Sequence, residues 1–388
     1  MPDNEQAPKE RIRSLDFYKG FAILAVMAVH VFVFQNMDTG NGDGQSGGMP
    51  LIVQCMYLGL MGFFVISGYF YRPNRGFVNN VKKRLLIGGV AYLSCALILP
   101  LILCAEMAIA GPNTPSVQDY VDALPWVWGC PTLFEEYDAP AYYAMCAAGI
   151  GYYYIQVMLV SFLVFYAIVD HLLNDWRKMA ATIVALIAIE TLLVQFYPNN
   201  LPMHCHLAPI ATSFMLLGAA AGKHRLVERL EFGAWKEPRT LGILGMCLII
   251  CVVVTILSPP GTGFNDANFG ANGGWSVPPF FINAASVMVL EIFACVLLIK
   301  IPYFSRFLSY MGRHTLSLML MQGFVIKLIL IPSYEISTST WFPATDMAIK
   351  IVLYICSMVI PIVISNLVIR HLAPFFFKLL GRDAASPI

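Results

Sequence analysis

The chain has 388 residues, of which 58% are hydrophobic and only 12% charged, with a net charge of +1 at pH 7 and a mean hydropathy of +0.69. A soluble domain carries roughly 25% charged residues, so the composition excludes an ordinary soluble enzyme and predicts an all-α protein that crosses a membrane several times. The nearly neutral net charge gives no argument for nucleic acid as a partner.

About ten apolar segments follow one another along the chain, most of them roughly as long as the 20 residues that a helix needs to cross a bilayer. They lie near 17–37, 51–71, 85–108, 149–169, 179–197, 207–222, 241–257, 279–299, 315–332 and 347–369. We therefore predict a transmembrane domain over 17–372 between an N-terminal segment, 1–16, and a tail, 373–388. The first sixteen residues are polar and no cleavage site follows them, so we expect the first segment to be retained rather than removed as a signal.

Lysine and arginine predict the direction of these helices. All 24 basic residues except Lys327 and Lys350 lie before or at the start of the first segment, or after the second, fourth, sixth, eighth and tenth. Cytoplasmic connections of membrane proteins accumulate such residues. Both termini are therefore predicted to be cytoplasmic, in a multi-pass protein of the cell membrane.

The first apolar segment contains a histidine, His30, in its outer half. His30 is eleven positions after Lys19, which is about 16 Å of helical rise and about 20° beyond three full turns, so the two share a face. Asp16 lies one turn before Lys19 and can orient its ammonium group. Polar groups at such depth are usually functional, although a histidine that is merely satisfied by a neighbouring helix is the alternative.

Several motifs resemble those of the membrane acyltransferase-3 family, and they follow one another in family order. The first is Lys19, ten residues and then His30, within RIRSLDFYKGFAILAVMAVH. The others are GFFVISGYF (Gly62–Phe70), KKRLL, YYYIQVMLVSFLVFY (Tyr152–Tyr166) and YMGRHTLSLMLMQGF (Tyr310–Phe324). Ten helices with both ends inside is the usual architecture of that family.

The chain departs from the family pattern at two positions. Val81 stands where members commonly carry the first arginine of an Arg-x-x-Arg pair, and Arg84 stands at the second. Gln322 stands where members often have histidine, which argues against proton transfer at that position.

The resemblance implies transfer of an acyl group, most often acetyl, from cytoplasmic acyl-CoA to a hydroxyl of a sugar or surface glycan. His30 is then the candidate general base, with Lys19 and Asp16 on the same face of the helix as further catalytic candidates. The phosphates of the donor need cations. The candidates are Lys82, Lys83 and Arg84, with Arg72 and Arg75 as the alternative.

Polar residues within the other spans are candidates for binding the carbohydrate acceptor, because charges at that depth usually face a cavity or one another. They are Glu190, Glu291, Lys327, Tyr153 and Gln156. Glu291 and Lys327 are equally consistent with a purely structural pair. The stretch MHCH (Met203–His206) offers fewer ligands than the three or four of a zinc site, so no metal is predicted.

Four questions stay open from the residues. A polysaccharide exporter on the same scaffold is the main alternative, although the matched broken helices of many transporters are not evident. An N-acyltransferase acting on an amino sugar fits the same residues, and the oligomeric state is not determined. Cys130 and Cys146 lie in a predicted outer connection, where either a disulfide or unpaired thiols would be consistent.

Overall fold

The computed structural model describes residues 12–32, 58–73, 76–82, 84, 152–196, 201–257, 276–319 and 343–379. Within these ranges the regular structure is entirely helical, which confirms the all-α prediction for them. The helices are α1 (Arg13–Phe32), α2 (Gly62–Tyr69), α3 (Tyr152–Leu172), α4 (Trp176–Phe196), α5 (Ala208–Lys223), α6 (Leu226–Glu231), α7 (Pro238–Leu257), α8 (Val277–Leu298), α9 (Pro302–Arg313) and α10 (Pro343–Leu379). Short 3₁₀ turns lie at Gly59–Met61, Pro202–Leu207 and Ala234–Lys236, and residues 77–82, 84 and 315–319 are also helical.

Proline residues mark where five of these helices begin. Pro209, Pro238, Pro278, Pro302 and Pro343 lie in the first turns of α5, α7, α8, α9 and α10. The first backbone N–H groups of a helix have no partner within it, so a residue that lacks an N–H costs nothing there. These prolines are therefore compatible with the starts of the five helices.

Four of the described helical segments are long and apolar enough to cross a membrane, namely Tyr154–Leu172, Trp176–Phe196, Cys205–Lys223 and Val277–Leu298. Shorter apolar stretches lie at Gly59–Tyr69, Pro238–Val254 and Ala348–Ile364. These match predicted spans, and the protein is a helical membrane protein. The third predicted span lies outside the described residues, and the ninth is described only over 315–319. The full set of ten spans and the cytoplasmic termini stay predictions.

The outward surfaces of α4, α7 and α10 are apolar. Large aliphatic side chains such as Val184, Leu192, Ile249, Ile256 and Val352 are exposed on them. A soluble protein rarely leaves so much contiguous apolar surface in water. These surfaces are the ones that lipid would cover.

The interior of the bundle is filled by large side chains from several helices. Phe17 of α1, Phe64 of α2, Phe165 of α3 and Phe214 of α5 are all fully buried in one continuous core. Since lipid provides no hydrophobic driving force between helices, close packing of such side chains carries much of the association.

Glycine residues let two pairs of helices approach to backbone contact. A Cβ atom at Gly20 of α1 would overlap the carbonyl oxygen of Leu308 in α9, and one at Gly312 would overlap that of Asp16. In the same way, Gly68 of α2 lies against the carbonyl of Met215 in α5. Small residues at helix crossings of this kind are common in membranes. Asp16, near the start of α1, lies at the α1–α9 crossing. The motif GFFVISGYF (Gly62–Phe70) lies at the α2–α5 crossing.

We expect Gly68→Ala to destabilise the protein by about 1–3 kcal/mol, because the added methyl group forces α2 away from α5. Thermal unfolding in detergent measures the loss. Gly245→Ala in α7 is the matched control, since no atom lies within 4 Å of its Cβ position. Alanine favours a helix over glycine, so the control should be neutral or slightly stabilising. Equal losses in both variants would contradict the packing argument.

Candidate functional site

A cavity of ≈ 220 Å³ lies where α1, α2 and α3 meet residues 84 and 315–319. We call it the Lys19 cavity. Its walls are mostly apolar, and two cations, Lys19 and Arg84, are among the residues that line it. The described residues that line it are Lys19, Phe63, Ile66, Ser67, Phe70, Arg84, Tyr154, Met158, Thr315, Leu316 and Met319.

Lys19 is held in place by its own helix and by an aromatic ring. Its Nζ donates to Asp16 Oδ1 at 3.3 Å, one turn earlier in α1. The ammonium also lies 5.7 Å from the centre of the Phe70 ring. The predicted contact between Asp16 and Lys19 is therefore confirmed. The lysine ammonium lies between this carboxylate and Phe70, the residue that follows α2.

Arg84 reaches the same cavity from the connection after α2. Its Nε donates to the hydroxyl of Tyr166 at 3.4 Å, and its guanidinium carbon lies 5.2 Å from the Phe162 ring. Both partners belong to α3. The planar guanidinium thus lies over one aromatic ring and donates to the hydroxyl of a second.

Of the other predicted phosphate ligands, the two that the structure describes do not line the Lys19 cavity. Lys82 and Arg72 are described and exposed, and neither lines its wall. Lys83 and Arg75 lie outside the described residues. Of the predicted cations, the structure brings together Lys19 and Arg84. A role for the other four stays a prediction.

Three hydroxyl groups belong to residues of the cavity wall. Ser67 donates to the carbonyl of Phe63 at 2.8 Å, and Thr315 donates to that of Gly312 at 2.8 Å. The Tyr154 hydroxyl differs, because the described part of the chain offers it no hydrogen-bond partner although it is buried. Buried polar groups in native proteins are nearly always paired, so each exception needs an explanation.

His30 lies within α1, which runs unbroken from Arg13 to Phe32. The separation of about 16 Å from Lys19 that was predicted from the spacing therefore applies to the folded helix. The side chain of His30 is outside the described atoms, and its role as general base stays a prediction.

Glu190 has a partner that the sequence did not predict. Its carboxylate is fully buried and accepts a hydrogen bond of 2.6 Å from the backbone N–H of Ile210, in the first turn of α5. A carboxylate at a helix N-terminus satisfies an unpaired N–H and complements the helix dipole. This contact gives Glu190 a structural role, and its predicted contact with an acceptor stays untested.

Glu291 contacts α1. Its Oε2 accepts a hydrogen bond of 3.0 Å from the Tyr18 hydroxyl, which also lies 3.3 Å from the carbonyl oxygen of Gly59. Lys327, the alternative partner in the sequence analysis, lies outside the described residues. The tyrosine links α1 to α8 and to the turn before α2, next to the Lys19 cavity.

The two remaining acceptor candidates lie at the start of α3. Gln156 is buried, and the side chain of Tyr153 is outside the described atoms. The adjacent Tyr154 lines the cavity. It was not predicted as a site residue, because a run of three tyrosines does not indicate which side chains face a cavity. Within the described residues, no three His, Cys, Asp or Glu side chains come together as metal ligands would.

His314 lies beside the cavity, at the turn between α9 and residues 315–319. Partial burial, and then the positive charge of Arg313, lower the pKa of its imidazole. The ring, which lies 4.7 Å from that of Tyr310, is therefore neutral at neutral pH. It adds no fixed cation to Lys19 and Arg84.

Comparison with protein families gives one match that spans most of the chain. The sequence model of the family described as an acyltransferase domain, Acyl_transf_3, matches residues 12–370. No curated protein and no solved structure matches the chain significantly. The match includes Lys19, Arg84 and every other residue that lines the Lys19 cavity.

Proposed function

The chain belongs to the acyltransferase-3 family of membrane acyltransferases, and we propose that it moves an acyl group, most often acetyl, from acyl-CoA to a carbohydrate hydroxyl. The donor would enter from the cytoplasm at the Lys19 end of the helices, and the acceptor would be a sugar or surface glycan on the outer side. The observation that carries the proposal is the Lys19 cavity, an apolar chamber with two cations in its wall.

The two cations suit the phosphates of the donor. Arginine presents a planar fork of N–H groups and lysine a compact charge, and both are usual phosphate partners. Lys19 is fixed by Asp16, and Arg84 is fixed by Tyr166 and Phe162. Two cations already in position lose less conformational entropy on binding than two free side chains would.

The apolar remainder of the cavity suits the pantetheine arm. Phe63, Ile66, Met158 and Met319 line it with carbon and sulfur atoms. The arm is of the same order of length as the rise of about 16 Å from Lys19 to His30 along α1. Phosphates held by Lys19 and Arg84 would thus let the thioester reach the level of His30.

At that level His30 would act as general base. Its imidazole takes the proton of the acceptor hydroxyl while the oxygen attacks the thioester carbonyl carbon. The C–S bond then breaks, the acyl group stays on the acceptor oxygen as an ester, and the proton passes to the leaving thiolate of CoA. Ser67 is a poor alternative nucleophile, since its hydroxyl donates to a carbonyl of its own helix.

The test is transfer of label by the purified protein in detergent. Acetyl-CoA labelled in the acetyl group is incubated with a glycan extract, and label on the carbohydrate is measured after the donor is removed. We expect label that depends on the protein and is released by mild alkali, as an ester is. Alkali-stable label would indicate an amide and an amino-sugar acceptor. Absence of label, together with movement of glycan across vesicles, would favour the exporter.

A further inference from the structure

We infer that the hydroxyl of Tyr154 donates a hydrogen bond to an amide carbonyl of the donor's pantetheine arm, and so selects pantetheine thioesters over other acyl donors. The inference rests on the proposed function, because it assigns one contact within the proposed donor site. Three observations support it: the hydrogen bonding of the hydroxyl, the depth of Tyr154 in the bundle and the chemistry of the pantetheine arm.

The first observation is that Tyr154 lines the Lys19 cavity, and that its hydroxyl is buried and lacks a hydrogen-bond partner among the described residues. The side chain is only 3% exposed. Its ring lies 4.7 Å from that of Phe64 and 6.2 Å from that of Phe63, so neighbouring aromatic rings hold it in place. A buried donor without a partner is costly, and a ligand in the cavity can supply the missing acceptor.

The second observation is the depth of Tyr154 relative to the two cations, which two helices give independently. Along α2 and the residue that follows it, Lys19 lies over the Phe70 ring, whereas Tyr154 contacts the Phe63 ring. Phe70 is seven positions after Phe63, which corresponds to about 10 Å of helical rise. On α3, Arg84 lies over Phe162, eight residues beyond Tyr154, or about 12 Å of rise. Tyr154 therefore lies part of the way from the cations toward the level of His30.

The third observation is chemical. A pantetheine arm held by its phosphates at the cations carries two amide groups before it reaches the sulfur. The neighbouring wall, formed by Phe63 and Met158, offers no side-chain donor. Tyr154 therefore meets an amide carbonyl at its depth, whereas the thioester carbonyl lies further on, near His30. A buried hydroxyl that must be paired discriminates against ligands that lack the acceptor.

The experiment compares two ligands and two variants by equilibrium binding in detergent. Coenzyme A contains the pantetheine arm, whereas adenosine 3′,5′-bisphosphate has no arm. Tyr154→Phe should weaken binding of coenzyme A about tenfold, the usual scale for one neutral hydrogen bond. It should leave the affinity for the bisphosphate unchanged. Tyr354→Phe is the matched control. The Tyr354 hydroxyl donates a hydrogen bond of 3.0 Å to the carbonyl oxygen of Leu24, and Tyr354 does not line the cavity.

The possible results separate this inference from the proposed function. Equal binding of coenzyme A by wild type and Tyr154→Phe would overturn the assigned contact. Equal losses of affinity for both ligands would also overturn it, because they would indicate a structural role. A large fall in kcat with unchanged affinity would overturn it as well, because it would place the hydroxyl at the thioester. Wild-type protein that neither binds coenzyme A nor transfers acetyl would refute the proposed function itself. Tyr154→Phe should also keep or raise the Tm, because it removes a buried hydroxyl that has no partner among the described residues.

Discussion

Replacing His30 with alanine should abolish acyl transfer, with a fall in rate of about 10²–10⁴, the usual contribution of a general base. The histidine lies on the face of α1 that carries Lys19, on a helix that is continuous between them. In the proposed mechanism the imidazole takes the proton of the attacking hydroxyl, and the methyl group of alanine cannot do so. The rate of labelled acetyl transfer under saturating donor measures the effect, and the Kd for coenzyme A should stay unchanged.

A matched control separates this chemistry from the loss of any histidine. His224 is exposed just after α5, and His224→Ala should transfer acetyl at the wild-type rate. His30→Ala should also keep its gel-filtration profile and Tm in detergent. Transfer within a few-fold of wild type in His30→Ala would remove the histidine from the mechanism, whatever the behaviour of the control.

Replacing Arg84 with glutamine should raise the donor KM roughly 10- to 100-fold with little change in kcat. The substitution removes a charge-assisted hydrogen bond to a phosphate, which is worth about 1.5–3 kcal/mol. The binding energy is lost in the ground state and the transition state alike, so it appears in KM. Steady-state kinetics against acetyl-CoA concentration measures the change, and binding of adenosine 3′,5′-bisphosphate should weaken by the same factor.

Two other cations test whether the position or merely the charge matters. Lys82 is two residues from Arg84 but exposed, and it does not line the Lys19 cavity, so Lys82→Ala should change the donor KM much less. Arg177→Ala removes an exposed arginine in the first turn of α4 and should change nothing. Similar effects from all three substitutions would indicate a diffuse electrostatic attraction instead of a phosphate site.

The sequence predicted features that depend on spacing along one helix. The contact between Asp16 and Lys19 is an i,i+3 pair, so helical geometry alone determines it. The shared face of Lys19 and His30 follows from the same helical geometry. The positions of most described helices also followed from apolar length.

Contacts between helices were not predictable in this way. The pairs Glu190 with Ile210 and Glu291 with Tyr18 join helices that are distant in sequence, and no periodicity within one segment specifies such a partner. Tyr154 is one of three adjacent tyrosines, and its position in the cavity wall depends on how α3 is rotated against Phe63 and Phe64. This rotation is a property of the packed bundle.

The most direct measurement is a cryo-electron microscopy structure of the protein bound to a non-hydrolysable acyl-CoA analogue. We expect the phosphates of the analogue between Lys19 and Arg84, its arm along the Lys19 cavity past Tyr154, and its acyl carbonyl within reach of the His30 imidazole. An analogue bound elsewhere, or an imidazole turned toward lipid with no passage leading to it from the two cations, would contradict the account.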